Sequence, residues 1–189
     1  MQHEMKVMTF TSKKSTAIGW SSGFSLIELL IVVAIILIIA AIAIPNLLRA
    51  RIASDEASAA NSIRSINTAE FAYNETFPAS GYALALGNLG GVSPCVPSPV
   101  AACLIDNVLA TAIVGSGGKS GYVFAATGLL PNGVTNLSFV SAASPTDYNR
   151  SGVRDFCSTE DGVIRFDAGA PASVPVTTLP ACRAFTVMQ

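Results

Sequence analysis

The chain has 189 residues, of which 51% are apolar and only 12% charged, with a formal charge of −1. That apolarity excludes a disordered tail, and the near-zero charge excludes a protein built around a basic nucleic-acid face. The length allows one domain, or one domain with an anchor.

The apolar residues are unevenly placed. Residues 24–44, FSLIELLIVVAIILIIAAIAI, contain one charge, Glu28. As a helix the segment is about 31 Å long, the thickness of a bilayer's hydrocarbon. It is apolar on every face, which marks either a membrane span or a deep core helix. A chain this short has too little body to bury it all round, so a span is expected. Before it lie Lys6, Lys13 and Lys14 against Glu4, a net +2 that keeps this end cytoplasmic under the positive-inside rule. Arg49 and Arg51 on the other flank weaken that asymmetry without reversing it. A basic start, an apolar stretch and Ala41-Ile42-Ala43 also suit a secretory signal peptide with an A-x-A cleavage site. The long basic region and the acid inside the apolar stretch oppose that alternative.

Glu28 is the most informative residue. An ionised carboxylate in hydrocarbon costs at least about 2.5 kcal/mol, so such groups are paired or functional, or else lie near the interface. Nothing else in the span is able to pair with it. A partner must come from another chain or from a newly made amino terminus.

Gly23-Phe24-Ser25-Leu26-Ile27-Glu28, then an unbroken apolar run and Pro45, closely resembles the prepilin motif of type IV pilins and type II secretion pseudopilins. The resemblance is dense from Gly23 to about Arg51. It implies that a membrane prepilin peptidase cuts between Gly23 and Phe24 and methylates the new amino group of Phe24. It also implies that Glu28 pairs with the Phe24 amino group of a neighbouring subunit during assembly. Further implied partners are an inner-membrane assembly platform and its ATPase, and copies of the chain itself in a helical filament. The location implied is the inner membrane before assembly and an extracellular pilus, or a periplasmic pseudopilus, afterwards. Motility, adhesion, DNA uptake and secretion are the roles the resemblance leaves open.

Pro45 lacks an N–H and crowds the carbonyl four residues back, so a kink near Ala41 is expected. The resemblance favours a helix that continues beyond it. From Asn46 to Tyr73 there is no Gly or Pro, and Ile52, Ala59, Ile63, Ile66 and Tyr73 form a stripe at 3–4 spacing. Arg49, Arg51, Asp55, Glu56, Arg64 and Glu70 are expected on the remaining, solvent-facing surface. The helix is expected from Phe24 to about Asn74, ended by Phe77-Pro78 and Gly81.

Residues 77–120 are rich in Gly, Pro, Ala and Ser and have no sustained period, so a long loop is expected there. β-type segments follow at 122–127, 137–142 and 162–167, with a further short strand at Val153–Cys157. Turns are expected at Pro131-Asn132-Gly133 and Ser151-Gly152. The expected fold is α+β: a long N-terminal helix packed on a small antiparallel sheet. The expected organisation is a leader at 1–23, a span at 24–44, an amphipathic helix at 45–76 and a head at 77–189. The head divides into a loop (77–120), a sheet (121–167) and a C-terminal segment (168–189). Residues 151–167 resemble the sheet end of pilin-like proteins, less specifically than the amino terminus does.

All four cysteines lie beyond the span, and an even number on the exported side suggests two disulfides. Three connectivities exist. The local one, Cys95–Cys103 with Cys157–Cys182, is favoured. By the resemblance, its second bridge ties the C-terminal segment to a strand. No C-x-x-C occurs and the sole histidine is His3, in the leader, so a zinc site is not expected.

Without a histidine in the mature chain, Ser-His-Asp and Cys-His catalysis are excluded. Gly118-Lys119-Ser120 matches the end of a P-loop, but Ile113 stands where its first glycine belongs. Asp147, Asn149, Ser151 and Asp155 overlay calcium-loop positions with Gly152 at the sixth. Ser158 replaces the bidentate acid at the twelfth, leaving a weak candidate beside the alternative of a polar turn. Sequons start at Asn74, Asn136 and Asn149, as expected by chance in a Ser/Thr-rich chain. The first 23 residues hold three of the 11 basic and one of the 12 acidic residues. The mature chain thus keeps eight and eleven, a charge of −3, which disfavours nucleic acid as a partner. The expected function is that of a non-enzymatic filament subunit needing no cofactor. A type II secretion pseudopilin is the near alternative. A single-pass anchored or secreted binding module is the alternative of another class.

Overall fold

One helix, α1 (Leu26–Thr76), is the longest element of the computed structural model, which describes residues 23–130 and 135–188. Except for Gly23, the expected leader lies outside the described residues, as does the turn at Pro131-Asn132-Gly133. α1 runs without a break through Pro45. The chain divides into two units, Met1–Ala41 and Ile42–Gln189.

In the first unit the described residues are the start of α1. Phe24, Leu26, Ile27 and the Leu, Ile and Val residues from 29 to 39 are all exposed. A helix this long and this apolar is able to cross a membrane, and none of the apolar window is buried within the chain.

In the second unit α1 lies on a five-stranded antiparallel sheet. The strands are β1 (Tyr122–Leu129), β2 (Ser138–Pro145), β3 (Arg154–Thr159), β4 (Arg165–Ala168) and β5 (Thr186–Val187), in sequence order. The fold is α+β and pilin-like. Strand alternation sets the two sheet faces. Tyr122, Phe124 and Ala126 of β1, Ala143 of β2 and Phe156 of β3 meet Ala59, Ile63, Ile66, Ala69 and Tyr73 of α1 in the main core. The other face carries Val140, Ala142 and Cys157, covered by the C-terminal segment with its short helix at Leu179–Arg183. The register Tyr122↔Pro145, Ala142↔Cys157 and Phe156↔Phe166 keeps like faces together across the sheet.

The 77–120 interval is less loop-like than its composition suggests. It contains two one-turn helices, at Leu86–Leu89 and Asn107–Ala110, whose Leu86, Leu89 and Leu109 are buried. The sheet also reaches past 167, because β5 adds to β4 through Phe166↔Thr186. Neither the one-turn helices nor a two-residue strand is long enough to show a period in sequence.

Cys95 is bonded to Cys103 and Cys157 to Cys182, with Cα atoms 6.1 and 5.7 Å apart. The second bridge pins the C-terminal segment to β3. Closing its 25-residue loop stabilises the fold by about 3.5 kcal/mol through the chain entropy of the unfolded state. Replacing both cysteines with alanine is expected to lower the unfolding free energy of the full chain in detergent, read from urea titration, by that amount and to lower the midpoint accordingly. An unchanged midpoint would show that packing of Leu179 and Phe185 alone holds the segment.

Candidate processing and assembly site

Gly23 and Phe24 precede the first helical residue in extended, exposed chain, and Phe24 is 82% exposed. No heavy atom lies within 4 Å of where a Cβ on Gly23 would stand. This point of the backbone is thus open to another protein. Ser25 caps α1: its carbonyl accepts from the Leu29 N–H at 3.2 Å, the first helical bond. Glu28 reaches back to accept from the Ser25 N–H through Oε2 at 2.9 Å. Ser25-Leu26-Ile27-Glu28 therefore forms the acidic half of a capping box, and Glu28 also sits in the first turn, where the helix dipole favours an anion. The S-x-x-E spacing is the sequence signature of such a cap, here set inside an apolar run.

Two other acids of α1 are not where the stripe placed them. Glu56 and Glu70, expected on the solvent face, are 6% and 0% exposed. Glu56 accepts from the Val153 N–H at 3.0 Å and pairs with Arg154 at 3.2 Å, tying α1 to the start of β3. Glu70 accepts from the Ala83 N–H at 2.8 Å, and its Oε1 has no hydrogen-bond partner among the described residues. Burial pushes the Glu70 carboxyl up to about 8, only partly offset by the Ala83 N–H. Each acid satisfies a backbone N–H that no sheet or helix ladder supplies, which is the physical reason for its burial.

Between them lies a neutral buried network. The Asn67 amide donates to Ser158 Oγ at 2.8 Å, and the Ser141 hydroxyl donates to Asn67 Oδ1 at 2.6 Å. Such fully paired groups make one seating of helix on sheet better than its neighbours. Tyr73 donates to the Pro99 carbonyl at 2.7 Å, so α1 also holds the long connection on its flank.

The weaker sequence candidates are engaged elsewhere. Asp147 pairs with Arg150 at 3.0 Å, and Ser151 Oγ donates to the Asp147 carbonyl at 3.0 Å. Asp155 faces Asp167 across the β3–β4 pair and accepts from Ser173 at 3.0 Å. Asp147, Asn149 and Ser151 thus lie in a turn and Asp155 on β3. Among the described residues no group of three or more His, Cys, Asp or Glu side chains gathers for a metal. Gly118-Lys119-Ser120 is the turn that leads into β1, closed by the Lys119 N–H on the Tyr122 carbonyl at 2.8 Å. Lys119 itself donates to Ser62 of α1 at 3.3 Å, and a strand follows where a phosphate loop needs a helix. Asn136 is buried and donates to the Tyr82 carbonyl, so its sequon does not present an open amide.

The profile of the prokaryotic N-terminal methylation motif matches residues 21–44. No curated protein matches the chain. The matched stretch covers Gly23, Phe24 and Glu28 and ends one residue before Pro45. The chain therefore carries, on a pilin-like α+β fold, the N-terminal methylation motif that is the hallmark of type IV pilin and pseudopilin prepilins.

Proposed function

We propose that the protein is the structural subunit of a type IV pilus-like filament, and does no chemistry of its own. The observation that carries this is the motif together with its setting: an exposed Gly23-Phe24 bond, an acid in the first helical turn and an all-round apolar helix surface behind it. The leader, residues 1–23, is removed by prepilin peptidase, and Phe24 becomes the methylated amino terminus. Residues 24–44 hold the precursor in the inner membrane and later form the filament core.

Cleavage places a cation at Phe24, one residue before the N–H that Glu28 accepts. The hydrogen bond to Ser25 uses one carboxylate oxygen, Oε2. The carboxylate is already aimed at the helix start, and the amino group of a neighbouring Phe24 supplies the charge it lacks in hydrocarbon. Such a pair sets axial register between subunits, while apolar burial along residues 24–44 supplies cohesion at about 25 cal/mol per Å². Pro45 marks the place where α1 loses one backbone hydrogen bond and is free to adapt on assembly. The assembly platform and its ATPase move the subunit between the two states.

Mass spectrometry of the mature protein tests the reading. An amino terminus at Phe24 carrying one added methyl group is the expected result. Cleavage after Ala43 would instead make the chain a secreted binding module and overturn the filament.

A further inference from the structure

The cleft beside the first turns of α1 in the second unit has a volume of about 280 Å³ and presents two arginines. Arg51 comes from α1 and Arg150 from the turn between β2 and β3, with Leu48 forming the apolar part of the lining. Their side chains are 76% and 78% exposed. Arg51 stands 3.8 Å from Asp55, and Arg150 3.0 Å from the half-exposed Asp147. Asp55 is itself only 18% exposed but its contact with Arg51 is long, and Asp147, which also lines the cleft, forms with Arg150 a solvent-exposed pair of the weak, readily exchanged kind. The turn itself is firmly built. The Ser151 hydroxyl donates to the Asp147 carbonyl, and Thr146 Oγ1 donates to the Gly121 carbonyl at 3.0 Å. The backbone is fixed while the guanidinium groups face solvent.

Height along α1 selects the ligand. Arg51 follows Ile44, the last residue of the apolar run, by seven residues, or about 10 Å of helix. The polar headgroup layer extends roughly 5–8 Å beyond the hydrocarbon on each side. Arginine stems reach back along apolar surface and bring their heads to that layer. Planar guanidinium forks match phosphate oxygens, and Leu48 suits the glycerol and first methylenes next to them.

We infer that the Arg51–Arg150 cleft binds the phosphate of an anionic phospholipid and seats the head on the membrane before assembly. This rests on the membrane-inserted reading above. The lipid is surrendered when the subunit enters a filament, so the site orients the precursor without fixing it permanently.

The test uses the full chain in uncharged detergent, titrated with dihexanoyl phosphatidylglycerol and followed by the backbone amide resonances of residues 146–151. Saturable shifts are expected. Arg51→Gln and Arg150→Gln should each weaken binding roughly fivefold, and Arg183→Gln, paired with Glu160 elsewhere, should not. Absence of shifts, an equal response to dihexanoyl phosphatidylcholine, or an equal affinity for inorganic phosphate would each overturn the inference. Incorporation of the chain into phosphatidylcholine nanodiscs is measured in parallel. Failure there removes the membrane reading itself, whereas incorporation without phosphatidylglycerol binding removes only the lipid site.

Discussion

Glu28→Ala is expected to reduce filament mass by at least about a hundredfold at equal membrane content, because on the proposed pairing with a neighbouring Phe24 it removes one partner of a buried ion pair, a loss of about 3–5 kcal/mol. Shed filaments and membrane-bound subunit, quantified from the same cells, provide the measurement. The hydrogen bond to the Ser25 N–H adds a second function for the same side chain, the helix cap. Glu28→Gln separates the two. Glutamine keeps the capping interaction, since either residue serves at that position, but it carries no charge. The Gln variant should therefore insert with an intact helix start and still fail to assemble. Wild-type filament yield from Glu28→Gln would show that capping matters and the charge does not.

Head stability is expected to fall as pH rises from about 4.5 to about 8, on account of Glu70. In the folded chain its carboxyl holds its proton up to about pH 8, whereas the unfolded group loses it near the ordinary carboxylate value of 4.5. Over that window the folded state binds more protons, so raising the pH favours unfolding, by about 4–5 kcal/mol in all. The stabilisation is fully present below 4.5 and lost by the time the folded group ionises. Asp161 acts in the opposite sense at the acid end. Its hydrogen bonds to Arg165 hold it down to about 2, so its contribution is lost as pH falls from the ordinary carboxylate range toward 2. Urea unfolding of the full chain in detergent from pH 5 to 9 reads the first effect. Glu70→Gln keeps an acceptor for the Ala83 N–H and cannot ionise, so its profile should be flat. The variant is expected to be weaker than wild type near pH 5, where its extra N–H donors lack partners, and stronger at pH 9. Parallel profiles for the two proteins would exclude Glu70 as the source.

The two acids of α1 show why part of the molecule was hidden in the sequence. A 3–4 stripe of Ile63, Ile66 and Tyr73 identifies the buried face correctly, and carboxylates beside it read as solvent-facing by default. Burial of Glu70 depends on an unpaired N–H at Ala83, 13 residues away, and burial of Glu56 on Val153 and Arg154, nearly a hundred residues away. No local pattern carries that information. The 77–120 interval was hidden for a related reason. Its order comes from Tyr73 bonding to Pro99, from the Leu104 and Ile105 N–H groups on the Leu89 carbonyl, and from the Cys95–Cys103 bridge. Its own residues are those of a loop.

By itself the sequence determined the features that are contiguous along the chain. These are the apolar helix, whose length and composition suffice for a membrane; the motif from Gly23 to Glu28; and the strands, whose alternating residues define two faces. Contiguous features are governed by local backbone periodicity and by transfer from water, both of which act residue by residue. Tertiary structure alone decided which acids are buried, how the long connection is held, that β5 completes the sheet, and that Arg51 and Arg150 share one cleft. Those outcomes depend on pairing between distant groups, where a donor without a ladder partner or a charge without a counter-charge determines the position of a side chain far away in the sequence.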